Sequence, residues 1–298
     1  MGDDHAAWLI VFVKAPTPGQ VKTRLAPLLT SPDAAAFYRC LVQDTLAVAT
    51  RLRGVNVVVA YAADRTFPNL AWLDALAAGP GAMTADRTSP HRSGFPSEES
   101  VARRNFSLAS RSLGTVPAQN SDVRLGGSSV TAHHASARTI APRMFLQQGQ
   151  TLGDRLAQAF RWAFKQNASR VLVIGSDAPD LATAWLRQAF QALRETDVVL
   201  GPTTDGGYHL IGLTRPHPDL FADMPWSTPK VFDQTLQRIG RLGLGVRCLE
   251  AVTDLDAPED VHRYLEATSS RRRRTRTAGF LRQYFANRSS SRSSVVSP

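Results

Sequence analysis

A chain of 298 residues that is 43% hydrophobic and 20% charged can bury a sizeable core, which excludes wholesale disorder. No apolar run reaches the ~18 residues of a membrane span, and the acidic start MGDDHAAWLIVFV lacks the basic region and cleavage site of a signal peptide. Two cysteines, Cys40 and Cys248, are too few for a disulfide framework or a cysteine zinc site, so two buried thiols in a cytoplasmic protein are expected. The net charge of +10 is local. Residues 80–143 hold eight arginines against four acids and residues 269–298 hold eight arginines and no acid, which leaves the remainder mildly acidic. A nucleic-acid enzyme carries its basic stripe on the folded face. No specific nucleic-acid partner is expected here, beyond weak binding through the tail.

In chain order, WLIVFVK (8–14) is a continuous apolar run, as in a strand buried on both faces. The Pro/Gly loop APTPGQ and then VKTRL follow it. Residues 32–52 have helical apolar spacing with Pro32 suited to a first helical position, and VNVVVAYA (55–62) reads as a second strand. Residues 80–143, rich in Ser, Gly, Ala, Thr and Arg without sustained periodicity, are expected to be a disordered insertion, with His133 and His134 in a solvated loop. Helix 152–166, strand 170–177, helix 183–195, strands 197–202 and 208–213 around a TTDGG loop, helix 228–243 and strand 244–250 come next. TDLDAPEDVHRYLEA then leads into a closing helix. Residues 269–298 are expected to be a basic disordered tail, a short amphipathic helix at 280–285 being the alternative. The result is one domain over 1–268, interrupted by the insertion. Its repeated βα pattern argues for an α/β fold with a mostly parallel sheet covered on both faces. In such sheets ligands bind outside the carboxyl ends of the strands.

Four polar clusters fall at such positions. Lys14, Lys22 and Arg24 surround a turn containing Gly19, where backbone N–H groups and three cations suit a polyphosphate, although neither a Walker loop nor G-x-G-x-x-G is present. In GSDAPDL, Asp177 ends an apolar strand and could present a metal to a nucleotide phosphate, while Asp180 reads as a helix cap. TTDGGYHLIGL is either a hairpin turn or a place where glycines let a sugar or base approach, with Asp205 available to a hydroxyl; His209 reads as structural. In TDLDAPEDV, helix-start chemistry accounts for Pro258, Glu259 and Asp260 but leaves Asp254 and Asp256 without a role.

Taken together, FVKAPTPGQVKTRLAP, LQQGQTLGDRL, VIGSDAPDL, VLGPTTDGGYHLIGL, PWSTPKVFDQTL and TDLDAPEDV resemble the bacterial glycosyltransferase-A-like proteins known as radical-SAM/selenodomain-associated transferases. Some of that family are described as arsenosugar-biosynthesis glycosyltransferases. The resemblance covers residues 8–78 and 144–266. It implies a three-layer nucleotide-diphospho-sugar transferase fold. It also implies a nucleotide-phosphate loop at Lys14, Gly19, Lys22 and Arg24, and a metal (Mg²⁺ or Mn²⁺) held by Asp177 and Asp256. Asp205, Gly206, Gly207 and Tyr208 match the part near sugar or acceptor, and Asp205 is the candidate to orient the acceptor or take its proton. Trp226, Ser227 and Thr228 match a W-S-T segment on the substrate side, a core Trp with a helix cap being the other reading. Ala257 departs from the pattern, as does the long insertion. The implied activity is metal-dependent transfer of a sugar from a nucleoside diphosphate sugar to a small acceptor. The alternative is a nucleotidyltransferase that uses an NTP and a small phosphorylated acid and releases pyrophosphate. A third reading, a basic scaffold binding nucleic acid through its arginine segments, predicts steep salt dependence.

Overall fold

The computed structural model describes residues 7–62, 143–269 and 275–293. Strand β1 (Ala7–Val13) is followed by a 3-10 turn at Thr23–Leu25, helix α1 (Ser31–Ala49) and strand β2 (Val55–Ala62). After the undescribed segment come β3 (Arg143–Gln147), α2 (Leu152–Lys165), β4 (Arg170–Ile174) and α3 (Thr183–Ala192). The chain continues through β5 (Val198–Pro202), β6 (Tyr208–Leu213), α4 (Val231–Arg241), β7 (Val246–Cys248), α5 (Pro258–Ser269) and α6 (Arg276–Ser293). The seven strands form one sheet in the order β3-β2-β1-β4-β6-β5-β7. Only β6 runs antiparallel to its neighbours, pairing Ile174 with Leu210 on one side and Gly201 with Leu210 on the other. The TTDGG segment is thus the turn of a β5–β6 hairpin.

The apolar alternation along β1 explains the layering. Leu9, Val11 and Val13 point into a core shared with α1, α3, α5 and α6, whereas Trp8 and Ile10 enter a second core with α2 and α4. All five are buried, so a run with no polar position is what this central strand requires. Local signals set the helix starts. Thr30 accepts the Asp33 N–H with Pro in the first turn of α1. Thr151 and Asp154 form a capping box on α2.

Four expectations are corrected. The tail is a helix over 276–293, and it packs on α1: Ala278 and Leu281 are fully buried and Phe280 lies 6.0 Å from Phe37. The Asp44 carboxylate on α1 accepts the Arg276 and Thr277 N–H groups and the Thr277 hydroxyl, capping that helix. Its apolar face therefore packs on the core. Strand β3 was hidden because RMFLQ is short and only half-buried. Cys248 is exposed and Cys40 only partly buried, so the thiols are not both interior. Helix α3 begins after Ala182 with no side-chain cap, so Asp180 does not cap it. The insertion read over 80–143 lies outside the described residues apart from Arg143, which opens β3. No described helix is long and apolar enough to cross a membrane.

Candidate active site

The sheet order places the site. From β1 the chain moves outward through β2 to β3, then returns across β1 to β4. The carboxyl ends of β1 and β4 therefore flank a topological switch point, the crevice where open α/β sheets bind ligands. Lys14 follows the last residue of β1, and Gly175, Ser176 and Asp177 follow the last residue of β4. A cavity of about 240 Å³ opens between these ends and reaches α2, lined by apolar and polar side chains in similar number, with Lys14, Tyr38, Ser176, Asp177, Tyr208 and Asp254 among the polar groups.

Lys22 is the centre of the arrangement. It sits in left-handed backbone (φ 51°) just before the 3-10 turn, between the buried side chains of Val21 and Leu25. Its ammonium lies 2.6 Å from Asp177 Oδ1 and 2.6 Å from Asp256 Oδ1 while its side chain is only 3% exposed. Burial alone would lower the Lys22 pKa; the two carboxylates outweigh it and hold the ammonium above the ordinary lysine range. Burial would raise the Asp256 carboxyl, but Lys22, with Arg24 and Lys14 beyond it, brings it below its usual range. The Leu255 N–H donates to the Asp177 carbonyl (3.1 Å), tying the segment after β7 to the end of β4. Asp260 accepts the Asp256 and Ala257 N–H groups, which is the helix-start role expected of it.

Asp254, without a role in the sequence, lines the cavity beside this cluster. Its Oδ1 is buried and hydrogen-bonds nothing among the described residues. Burial, reinforced by Asp177 and Asp256, pushes its carboxyl up to about 8. Tyr38 and Ser176 were also missed. The Lys14 N–H donates to the Tyr38 hydroxyl (2.9 Å), which shares a second hydrogen bond with Ser176 Oγ (2.9 Å). Tyr38 lies in the middle of α1, where its spacing reads simply as core.

The remaining candidates separate into two groups. Tyr208 lines the cavity, and Trp226 meets its ring edge-on at 6.3 Å, so Trp226 backs the site without lining it. Asp205 is exposed, and its Oδ1 accepts the Thr203 hydroxyl (2.6 Å) and the Gly207 N–H (3.1 Å), which shapes its own turn. Its charge still reaches Asp254. Gly206 (φ 87°) is required by packing, since a Cβ there would lie 2.2 Å from the Pro229 carbonyl. Ser227 and Thr228 are exposed in the approach to α4; Thr228 donates to the Pro225 carbonyl, and the cap position falls to Lys230 without a side-chain bond. Gly19 (φ 78°) forms an exposed turn with open space at its Cα.

The expected pair of metal carboxylates, Asp177 and Asp256, is thus brought together, but around an ammonium. No described group of three or more His, Cys, Asp or Glu forms a cage for an ion. The donor set still fits Mg²⁺ or Mn²⁺. Such ions are often held by one or two carboxylates, completing their shell with phosphate oxygens and water. Here both carboxylates are more than a third exposed, and the unbonded Asp254 oxygen lies within reach of their charge.

Comparison with known proteins agrees with this architecture. Residues 115–228 match a family described as an uncharacterized protein conserved in bacteria (DUF2064). A crystal structure of a candidate nucleotide-diphospho-sugar transferase from Desulfovibrio desulfuricans G20 superposes with a TM-score of 0.66 at 26% identity, covering 94% of this chain and 95% of that one. CMP:2-keto-3-deoxy-manno-octonic acid synthetase in complex with CTP matches at 0.43 and 11% identity (89% and 98% covered). The manganese complex of Rv0371c from Mycobacterium tuberculosis H37Rv matches at 0.40 and 14% identity (88% and 99% covered). No curated protein matches the chain. The fold is that of the nucleotide-diphospho-sugar transferases.

Proposed function

We propose that this chain is a transferase that binds a nucleoside diphosphate sugar at the β1–β4 crevice and moves the sugar to a small acceptor. The observation that carries the reading is the cation loop of Lys14, Lys22 and Arg24 facing Asp177 after β4 and Asp256 ahead of α5 in this fold. Lys14 and Arg24 are exposed beside Asp256 and suit the diphosphate oxygens, with the turn at Gly19 giving backbone access. Asp177 and Asp256 would hold Mg²⁺ or Mn²⁺, which would supply positive charge beside the nucleotide phosphates. Asp205, through its second carboxylate oxygen, orients the acceptor hydroxyl and accepts its proton. Gly207, Tyr208 and Trp226 form the acceptor side, with Ser227 and Thr228 at its outer edge and Gly206 holding the turn. A cytoplasmic setting supplies both substrates.

The test combines binding with product identity. Thermal shifts with nucleotides and nucleotide sugars, each with Mg²⁺ or Mn²⁺, identify the donor. A ligand at 100 times its Kd raises stability by ~2.7 kcal/mol. Release of a nucleoside diphosphate from the donor supports sugar transfer. Pyrophosphate release from an NTP would instead assign nucleotidyl transfer, and failure to bind any nucleotide would refute both.

A further inference from the structure

Lys22 has one ammonium and two demands on it. As the phosphate-loop cation it must touch the diphosphate, yet its side chain is 3% exposed and its ammonium is held at 2.6 Å by each of two carboxylates. A phosphate cannot reach it in that position. The carboxylates themselves are 37% and 41% exposed, so they are open on their outer sides and closed by Lys22 on the inner one. If Lys22 turns out to meet phosphate, Asp177 and Asp256 face each other uncompensated, with the Asp254 carboxyl close enough to feel both. Like charges at such separation repel strongly in a partly buried site.

We infer that Lys22 is an internal stand-in for the divalent cation, and that the two exchange. In the free protein the ammonium holds the carboxylate pair and competes with Mg²⁺ or Mn²⁺ for it. The diphosphate draws Lys22 away, and the ion that accompanies the nucleotide takes the vacated place. Nucleotide and metal binding are therefore coupled, each favouring the other, and reciprocity requires the coupling to be the same in both directions. The left-handed backbone at Lys22 fits this role. An L-residue rarely adopts that conformation, and it places the lysine at the start of a short turn. This inference rests on the metal-dependent reading above.

The experiment is Mn²⁺ titration of nucleotide-free protein, read by the electron paramagnetic resonance signal of unbound Mn²⁺. The proteins are wild type, Lys22→Met, Lys22→Gln, Lys22→Arg and the double variant Lys22→Met/Asp177→Asn. Lys22→Met and Lys22→Gln should bind Mn²⁺ about tenfold or more tightly than wild type, within the usual range of coupling between sites. Lys22→Arg keeps the cation and should stay weak, and the double variant should lose the gain. The glutamine variant keeps a polar hydrogen-bonding group without the charge, so the test survives if the methionine variant does not fold. Equal Mn²⁺ affinity in wild type, Lys22→Met and Lys22→Gln would overturn the exchange and leave the metal reading standing. No Mn²⁺ binding in any of them would overturn both.

Discussion

At the residue scale, the Asp177–Lys22–Asp256 cluster reverses a simple expectation about charge. Two carboxylates alone at a strand end repel, and replacing one by its amide would be harmless to the metal-free protein. With an ammonium between them the pair is compensated, and Asp177→Asn or Asp256→Asn is expected to destabilise it. Breaking a buried ion pair costs about 3–5 kcal/mol, and the partial exposure of both carboxylates reduces this to about 1–2 kcal/mol. Urea unfolding of the metal-free variants measures it, and unchanged midpoints would contradict the compensation. Lys14 and Arg24 make a different prediction, because both are exposed. Their alanine variants should keep the wild-type melting temperature and raise nucleotide Kd about ten- to a hundredfold, as loss of a charge-assisted hydrogen bond implies.

His209 gives a pH signature of the same kind. Both ring nitrogens are buried without a hydrogen-bond partner among the described residues, and burial lowers the imidazole from 6.5 to about 4. Between those values the unfolded chain takes up a proton that the folded chain refuses. The stability this group contributes is therefore fully present above pH 6.5 and falls as the pH drops through that window. Between pH 7 and pH 5 that contribution changes by on the order of 2 kcal/mol, while the Asp254 carboxyl, raised to about 8, acts in the opposite sense. Denaturation of wild type and His209→Gln at the two pH values checks it: relative to the variant, the wild type should lose that much stability at pH 5.

At the scale of elements, α6 is the main revision. Its composition is that of a solvated tail, but Ala278, Leu281, Tyr284 and Phe285 recur at helical spacing and pack on the α1 side of the sheet. The Tyr284 hydroxyl also donates to the Leu28 carbonyl in the loop before α1. Removing residues 275–298 should thus lower stability instead of leaving it untouched. Leu281→Ala alone should cost about 2–5 kcal/mol, as for other fully buried leucines. Asp44→Ala, which uncaps the helix, should cost about 1 kcal/mol. Wild-type unfolding midpoints in these variants would return the segment to the status of an appendage.

At the scale of the whole molecule, the sheet determines what can be deleted. β2 pairs directly with β3, Val58 opposite Arg143, so the described parts either side of the undescribed segment share one sheet. The pair is parallel, and its connection must run back the length of a strand, which takes roughly a dozen residues. Replacing 82–140 with a Gly/Ser linker while keeping 63–81 leaves enough chain for that crossing. Cooperative unfolding and nucleotide binding should both survive, and a lost transition in calorimetry would show that the segment belongs to the core.

The sequence alone determined the elements whose apolar pattern is set by burial on the sheet: β1, β2, β4, β5 and β6, and the helices between them. It also brought out the polar clusters around Lys14, Asp177 and Asp256, because a strand end followed by Lys14 or Asp177, and an acidic helix start after Asp256, are local facts. Tertiary structure decided the rest. That β6 runs antiparallel, that RMFLQ is an edge strand, and that an arginine-rich tail docks on α1 all depend on partners distant in sequence. Above all, Lys22 and Asp256 lie 234 positions apart. No spacing rule shows that one ammonium stands between two carboxylates, because the switch point of the sheet brings those three segments together.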